Sequence, residues 1–149
     1  MPRSIRNTLI VGGGIGGLTL GIALARQGVE VDLVELREKV SALGVGIIQN
    51  ANALRVLRGL GLLEPVHAAG FQMDERRFCD AVGNTVVGAN ALRTLDPKVP
   101  AINNIPRPAL HKILTDAALA AGVRLRMNDT VAQAADHGDA VEEIGRAHV

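Results

Sequence analysis

The sequence predicts an α/β fold that opens with a parallel β-α-β unit, and three features of the chain predict it. A short β-branched apolar run, Thr8 to Val11, is stopped by a cluster of glycines. Ile15 to Gln27 follows with Leu18, Ile22 and Ala23 at helical spacing, and Gly28 sits where a helix needs a left-handed terminator. Val29 to Leu36 (VEVDLVEL) alternates and then becomes almost continuously apolar, the pattern of a parallel strand covered on both faces. Strand, helix and strand within about thirty residues is the size of one such unit.

The remaining elements follow in order. Ser41 to Ile48 reads as a glycine-punctuated loop, and Asn50 as the N-cap of a helix from Ala51 that Gly59 and Gly61 end. After a short segment, Leu63 to Ala69, the stretch Phe71 to Ala89 reads as a β-hairpin turning at Ala81-Val82-Gly83-Asn84. Leu92 to Asn104, with Pro97 and Pro100, reads as a loop, with a brief strand entering Ile105. Pro108 is placed to open a helix through Ala121, and Gly122 to close it. Val123 to Met127 and Thr130 to Ala135 read as strands, then His137-Gly138-Asp139 as a turn into Ala140-Val141. The expected organisation is 1–70 as the β-α-β start with its following helix, 71–105 as a β excursion, 106–142 as a return to the first domain, and 143–149 as a tail.

Composition narrows the functional classes. The 149 residues make one ordinary domain, 48% apolar and 21% charged, within the range of globular chains. A net charge of +1 gives no electrostatic case for nucleic acid or an anionic membrane as partner. Phe71 and Phe78 are the only aromatic residues, which removes most stacking platforms for bases. Cys79 stands alone, so no intrachain disulfide can form. The apolar run after Arg3 and Arg6 is too short for a signal segment, and nothing approaches the roughly 18 apolar residues of a membrane span; a cytoplasmic location is the expectation. His67, His111, His137 and His148 lack metal-ligand spacing and read as surface or satisfied core residues.

The chemistry concentrates in Gly12-Gly13-Gly14-Ile15-Gly16-Gly17, which contains G-x-G-x-x-G at Gly12, Gly14 and Gly17. Gly12 permits a tight strand-to-helix turn, Gly14 lets a pyrophosphate approach backbone N–H groups, and Gly17 lets the helix pack closely on the strand; the small Gly21 extends that contact. The phosphates then meet the unpaired N–H groups and positive dipole of a helix N-terminus. Glu35 closes the second strand eighteen residues beyond Gly17, where a carboxylate can accept hydrogen bonds from both hydroxyls of an adenosine ribose. Its charge also disfavours a 2′-phosphate, which argues against NADP and, with the rest of the loop, for the ADP half of FAD.

With Gly44-Val45-Gly46 and Arg107 in view, the chain resembles the N-terminal part of FAD-dependent aromatic-ring monooxygenases of the para-hydroxybenzoate and salicylate hydroxylase type. The resemblance rests on LIVGGGIGGLTLGIALARQGVEVDLVE, GVGIIQNANALRVLRGLGL and IPRPALHKIL, and runs from Leu9 to about Val141. It implies a Rossmann-like FAD-binding domain with an inserted β excursion, in which Gly12, Gly14, Ile15 and Gly17 hold the pyrophosphate and Glu35 the AMP ribose. It further implies that the backbone near Leu36 and Val131 flanks the adenosine, that Gly46 lies toward the flavin, and that Arg107 is the family's flavin-contacting arginine, a fixed fork of donors for ribitol or phosphate oxygens. In that family the flavin carries the chemistry. NAD(P)H is the co-substrate, O2 supplies the oxygen atom, and a small aromatic molecule receives it, so no catalytic side-chain constellation or metal is expected. Another FAD-dependent oxidoreductase, reductase-like or halogenase-like, and a small non-catalytic nucleotide-binding module remain the competing readings.

The family carries a later Gly-Asp motif and a D-G motif after the strand near Val141, and neither is present, so the expectation is a domain incomplete at its C-terminus. The final run EIGRAHV breaks the preceding alternation, and one reading frame of a common sequencing adapter encodes IGRAHV. The expectation for 143–149 is a non-native tail without designed partners.

Overall fold

A computed structural model describes residues 5–38, 45–73, 75–91, 98–138 and 140–147. In chain order the elements are β1 (Asn7–Val11), α1 (Ile15–Ala25), β2 (Glu30–Glu35), β3 (Gly46–Asn50), α2 (Ala51–Gly59), α3 (Leu63–Ala68), β4 (Phe71–Met73), β5 (Glu75–Cys79), β6 (Thr85–Ala91), β7 (Ile102–Pro106), α4 (Arg107–Ala120), β8 (Arg124–Met127), β9 (Asp129–Asp136) and β10 (Val141–Ala147). They group into two compact units, Met1–Ala42 with His111–Val149, and Leu43–Leu110. The helix Ala51–Gly59, which the sequence groups with the β-α-β start, therefore falls in the second unit.

In the first unit β2 is the central strand of a parallel sheet ordered β1-β2-β8. Val31, Leu33 and Val34 are all buried, so the alternation breaks at the adjacent pair Leu33 and Val34, where both faces of the strand are covered. Helix α1 lies on β1 and β2 and buries Leu18, Gly21 and Ile22. It ends at Ala25, two residues short of the expected Gln27, because the chain turns through Gly28 at φ +82°, a left-handed conformation that favours glycine. The C-terminal half of α4 contributes Leu114 and Ala118, one turn apart, to the core, and Gly122 closes the helix at φ +88°.

In the second unit β7 is the centre of an antiparallel sheet ordered β3-β7-β4. Three segments of this unit differ from the sequence expectation. Gly46 to Ile48 is strand rather than loop, Ile102 to Asn104 belongs to β7 rather than to a loop, and Phe71 to Met73 pairs with β7 rather than joining the hairpin. The cause is a buried amide network that breaks the apolar alternation. Asn103 is 0% exposed; its Nδ2 donates to Gln49 Oε1 at 2.9 Å, and its Oδ1 accepts from Gln72 Nε2 at 2.8 Å. The hairpin is β5-β6, and its turn is built on Asp80, whose Oδ1 accepts from the N–H groups of Val82 (3.0 Å) and Asn84 (2.8 Å). Asn50 occupies the N-cap of α2 but its side chain makes no capping bond, and α4 starts at Arg107, so Pro108 is its second residue.

The tail has backbone partners. β10 pairs antiparallel with β9 from Val141↔Asp136 to Ala147↔Asp129, with a register shift between Ile144 and Gly145. The second half of β9 is exposed, and a ribbon of that kind needs no apolar alternation, so the irregular pattern of 143–147 does not prevent pairing. His148 and Val149, the end of the expected tail, lie outside the described residues.

Candidate functional site

The glycine loop joins β1 to α1. Gly12 has φ +103° and donates its N–H to Val34 O at 2.8 Å, which ties the end of β1 to β2. Gly14 is the N-cap of α1 and accepts the first intrahelical bond, from Leu18 N at 3.0 Å. The N–H groups of Gly14, Ile15, Gly16 and Gly17 are therefore left without intrahelical acceptors. A Cβ at Gly17 would collide with the carbonyl oxygen of Gly12, whereas a Cβ at Gly14 would meet nothing within 4 Å. One glycine is required by packing and the other faces open space. A pyrophosphate fits this arrangement, having backbone donors, a favourable dipole and no side chain in its way. Gly21 differs from expectation: a Cβ there would lie 3.5 Å from Val123 Cγ2 and 3.6 Å from Ile10 Cδ1, ordinary contact with room for a methyl group.

Glu35, at the end of β2, is half-buried and reaches back to the loop. Its Oε2 accepts the Gly13 N–H at 2.8 Å and its Oε1 accepts the Arg37 N–H at 3.0 Å. Each carboxylate oxygen keeps a second lone pair, so acceptor capacity for a ribose diol remains. Gly13, to which the sequence gives no separate task, is buried, and its own missing side chain lets Glu35 approach: a Cβ there would lie 3.3 Å from Glu35 Cβ. Leu36 follows β2 and is 53% exposed. Val131 lies on β9 opposite Gly145, and β9 is in contact with β2.

Gly46 and Arg107 belong to the second unit, with the division falling between Leu110 and His111 of α4. Strand register brings them together: Gly46 is opposite Pro106, the residue before Arg107. Arg107 is the exposed first residue of α4, and its guanidinium has no ion pair or hydrogen bond among the described residues.

His111, which the sequence leaves as either a surface or a satisfied core residue, belongs to the loop's surroundings. It is buried, and its Nε2 lies 2.7 Å from Gly13 O. Only the spacing of His111 and Thr115, one helical turn apart, hints at a held ring; the Thr115 hydroxyl donates to His111 O at 2.9 Å and lies 3.3 Å from Nδ1. Away from the loop, Arg124 grips Asp32 by two bonds, Nε to Oδ1 at 2.9 Å and an Nη to Oδ2 at 2.8 Å, and these hold the Asp32 carboxyl below the usual carboxylate range. Among the described residues no group of three or more His, Cys, Asp or Glu could hold a metal ion, and no helix is long and apolar enough to cross a membrane.

Comparison with known proteins agrees with this geometry. A family described as FAD binding domain matches residues 6–148. The phenazine 1,6-dicarboxylic acid hydroxylase PhzS of Lysobacter antibioticus is 37% identical over 126 residues, 83% of this chain and 29% of its own length. The 3-hydroxybenzoate 6-hydroxylase 1 of Aquipseudomonas alcaligenes is 31% identical over 143 residues, 93% of this chain and 36% of its own. The solved structure of 2-methyl-3-hydroxypyridine-5-carboxylic acid oxygenase in its tetrameric form superposes with a TM-score of 0.78 at 30% identity, over 95% of this chain and 38% of that one. The chain thus spans about a third of the length of the curated relatives it matches. A match over nearly the whole chain, converging with a G-x-G-x-x-G loop and its strand-end acid, shows that the chain belongs to the FAD binding domain family.

Proposed function

We propose that the chain is the FAD-binding part of a flavoprotein monooxygenase that hydroxylates a small aromatic substrate using NAD(P)H and O2. The observation that carries this reading is the open face of Gly14 at the start of α1 with the Glu35 carboxylate at the end of β2. Relatives named for phenazine, hydroxybenzoate and hydroxypyridine acids support an aromatic substrate. FAD, when bound, supplies the redox chemistry.

The chain's own residues bind and orient. The N–H groups of Gly14 and Ile15 take the pyrophosphate, Gly12 makes the turn that presents them, and Gly17 holds α1 against β1. Glu35 accepts from the ribose hydroxyls and repels a 2′-phosphate. Leu36 and Val131 flank the adenosine, while Gly46 and Arg107 serve the flavin half. On this reading the parent enzyme works in the cytoplasm, where NAD(P)H is available.

The test is cofactor release. The parent protein purified intact should show the absorbance of oxidised flavin, and acid should release FAD. Its oxidation of NAD(P)H should be stimulated by aromatic hydroxy acids. Release of NAD, or no dinucleotide after reconstitution, contradicts the proposal.

A further inference from the structure

We infer that His111 is a positioning residue for the dinucleotide loop, acting through Gly13 to aim the Gly14 N–H at the cofactor's pyrophosphate; this rests on the FAD-binding reading above. Gly13 is held from both sides. Its N–H is donated to Glu35 Oε2 at 2.8 Å, and its carbonyl oxygen lies 2.7 Å from His111 Nε2. A carbonyl oxygen carries no proton, so Nε2 must be the donor and the ring must be protonated there. The ring is 8% exposed, and Thr115, one turn on, backs it with a hydroxyl 3.3 Å from Nδ1.

The consequence follows from peptide geometry. In a planar trans peptide the C=O and the next N–H point in opposite directions. Fixing the Gly13 carbonyl on His111 therefore turns the Gly14 N–H away from the His111 ring, and at Gly14 itself an added Cβ would meet nothing within 4 Å. Glycines either side of this peptide leave its rotation nearly unrestrained by side-chain sterics, so an external hold is what selects one orientation. A loop already oriented does not have to be ordered when the anion arrives. His111 itself touches no reacting atom.

The experiment uses the full chain, ¹⁵N-labelled, in wild-type form and as His111→Leu and His111→Gln. The Gln amide keeps an N–H donor at about the reach of Nε2, whereas Leu keeps bulk and removes the donor. Three readouts are taken: ring ¹⁵N shifts of His111 in the wild type, the Gly14 amide resonance without ligand, and affinity for FAD. The expected results are a ring protonated at Nε2, a Gly14 amide displaced in His111→Leu and restored in His111→Gln, and FAD affinity reduced about tenfold in Leu with recovery in Gln. A ring protonated only at Nδ1 overturns the inference without any variant, and so holds even where a variant fails to fold. An unmoved Gly14 amide, or FAD affinity equal to wild type in a folded His111→Leu, also overturns it while leaving the FAD reading intact. A wild-type chain that shows no affinity for FAD overturns that reading instead.

Discussion

Glu35 Oε2 accepts the Gly13 N–H at 2.8 Å, so the acid that ends β2 is bonded to the loop that begins α1 before any ligand contributes. The same carboxylate thus has two tasks, holding the loop and offering lone pairs to a ribose. Glu35→Ala removes both and should cost ~1.5–3 kcal/mol of nucleotide affinity, roughly ten- to hundredfold. Glu35→Gln keeps one acceptor oxygen and should lose less. Titration with ADP reads both, and equal affinity in all three proteins would mean the carboxylate serves the loop alone.

Gly17 and Gly21, one turn apart on α1, should respond differently to the same change. A methyl at Gly17 runs into the Gly12 carbonyl oxygen, backbone against backbone, and Gly17→Ala should destabilise by about 2 kcal/mol or more. Gly21→Ala makes ordinary contact with Val123 and Ile10 and gains helix propensity, so its stability should stay within about 1 kcal/mol of wild type. Urea unfolding of the two variants makes the comparison.

The buried amide of Asn103 sets a second steric rule, within the other unit. A Cβ at Gly70 would lie 2.5 Å from Asn103 Oδ1 and 2.6 Å from Nδ2, so Gly70→Ala must displace that amide. Asn103→Ala leaves Gln49 Oε1 and the Gln72 amide short of a partner and should cost about 1–3 kcal/mol. Asn103→Ala combined with Gly70→Ala should be less damaging than the sum of the single changes, because the methyl then enters vacated space.

Asp32 gives a pH dependence with a defined sign. Hydrogen bonds and charge from Arg124 hold its carboxyl below 3.8, so the folded state binds its proton less readily than the unfolded state. The associated stability is fully present above the unfolded value and is lost as pH falls through the lower folded value. NMR titration should place the Asp32 midpoint below that of an ordinary aspartate, and Arg124→Met should move it up. An unshifted midpoint in the wild type would dissolve the pair.

Much of the first unit could be read from residues because its elements obey simple rules. The adjacent residues Leu33 and Val34 of β2 are both apolar since both faces of the strand are covered, and Gly28 and Gly122 end helices since each adopts positive φ. The second unit resisted reading where polar residues are buried: Gln49 and Asn103 satisfy one another inside the β3-β7-β4 sheet, so Gly46 to Ile48 and Ile102 to Asn104 look like loop. The strand-end acid and the three motif glycines could be named from spacing. The Gly13 contacts could not, because a hydrogen bond between residues ninety-eight apart, His111 and Gly13, leaves no local pattern.

If this chain carries a site for the ADP half of FAD, competition at equilibrium will show it. Bound FAD should be displaced by ADP, which presents the same pyrophosphate and ribose diol. ADP phosphorylated at its 2′-hydroxyl keeps the pyrophosphate but places a phosphate where Glu35 stands, and should compete at least about tenfold less well. Absence of saturable FAD binding, or equal displacement by the 2′-phosphorylated nucleotide, would contradict the account.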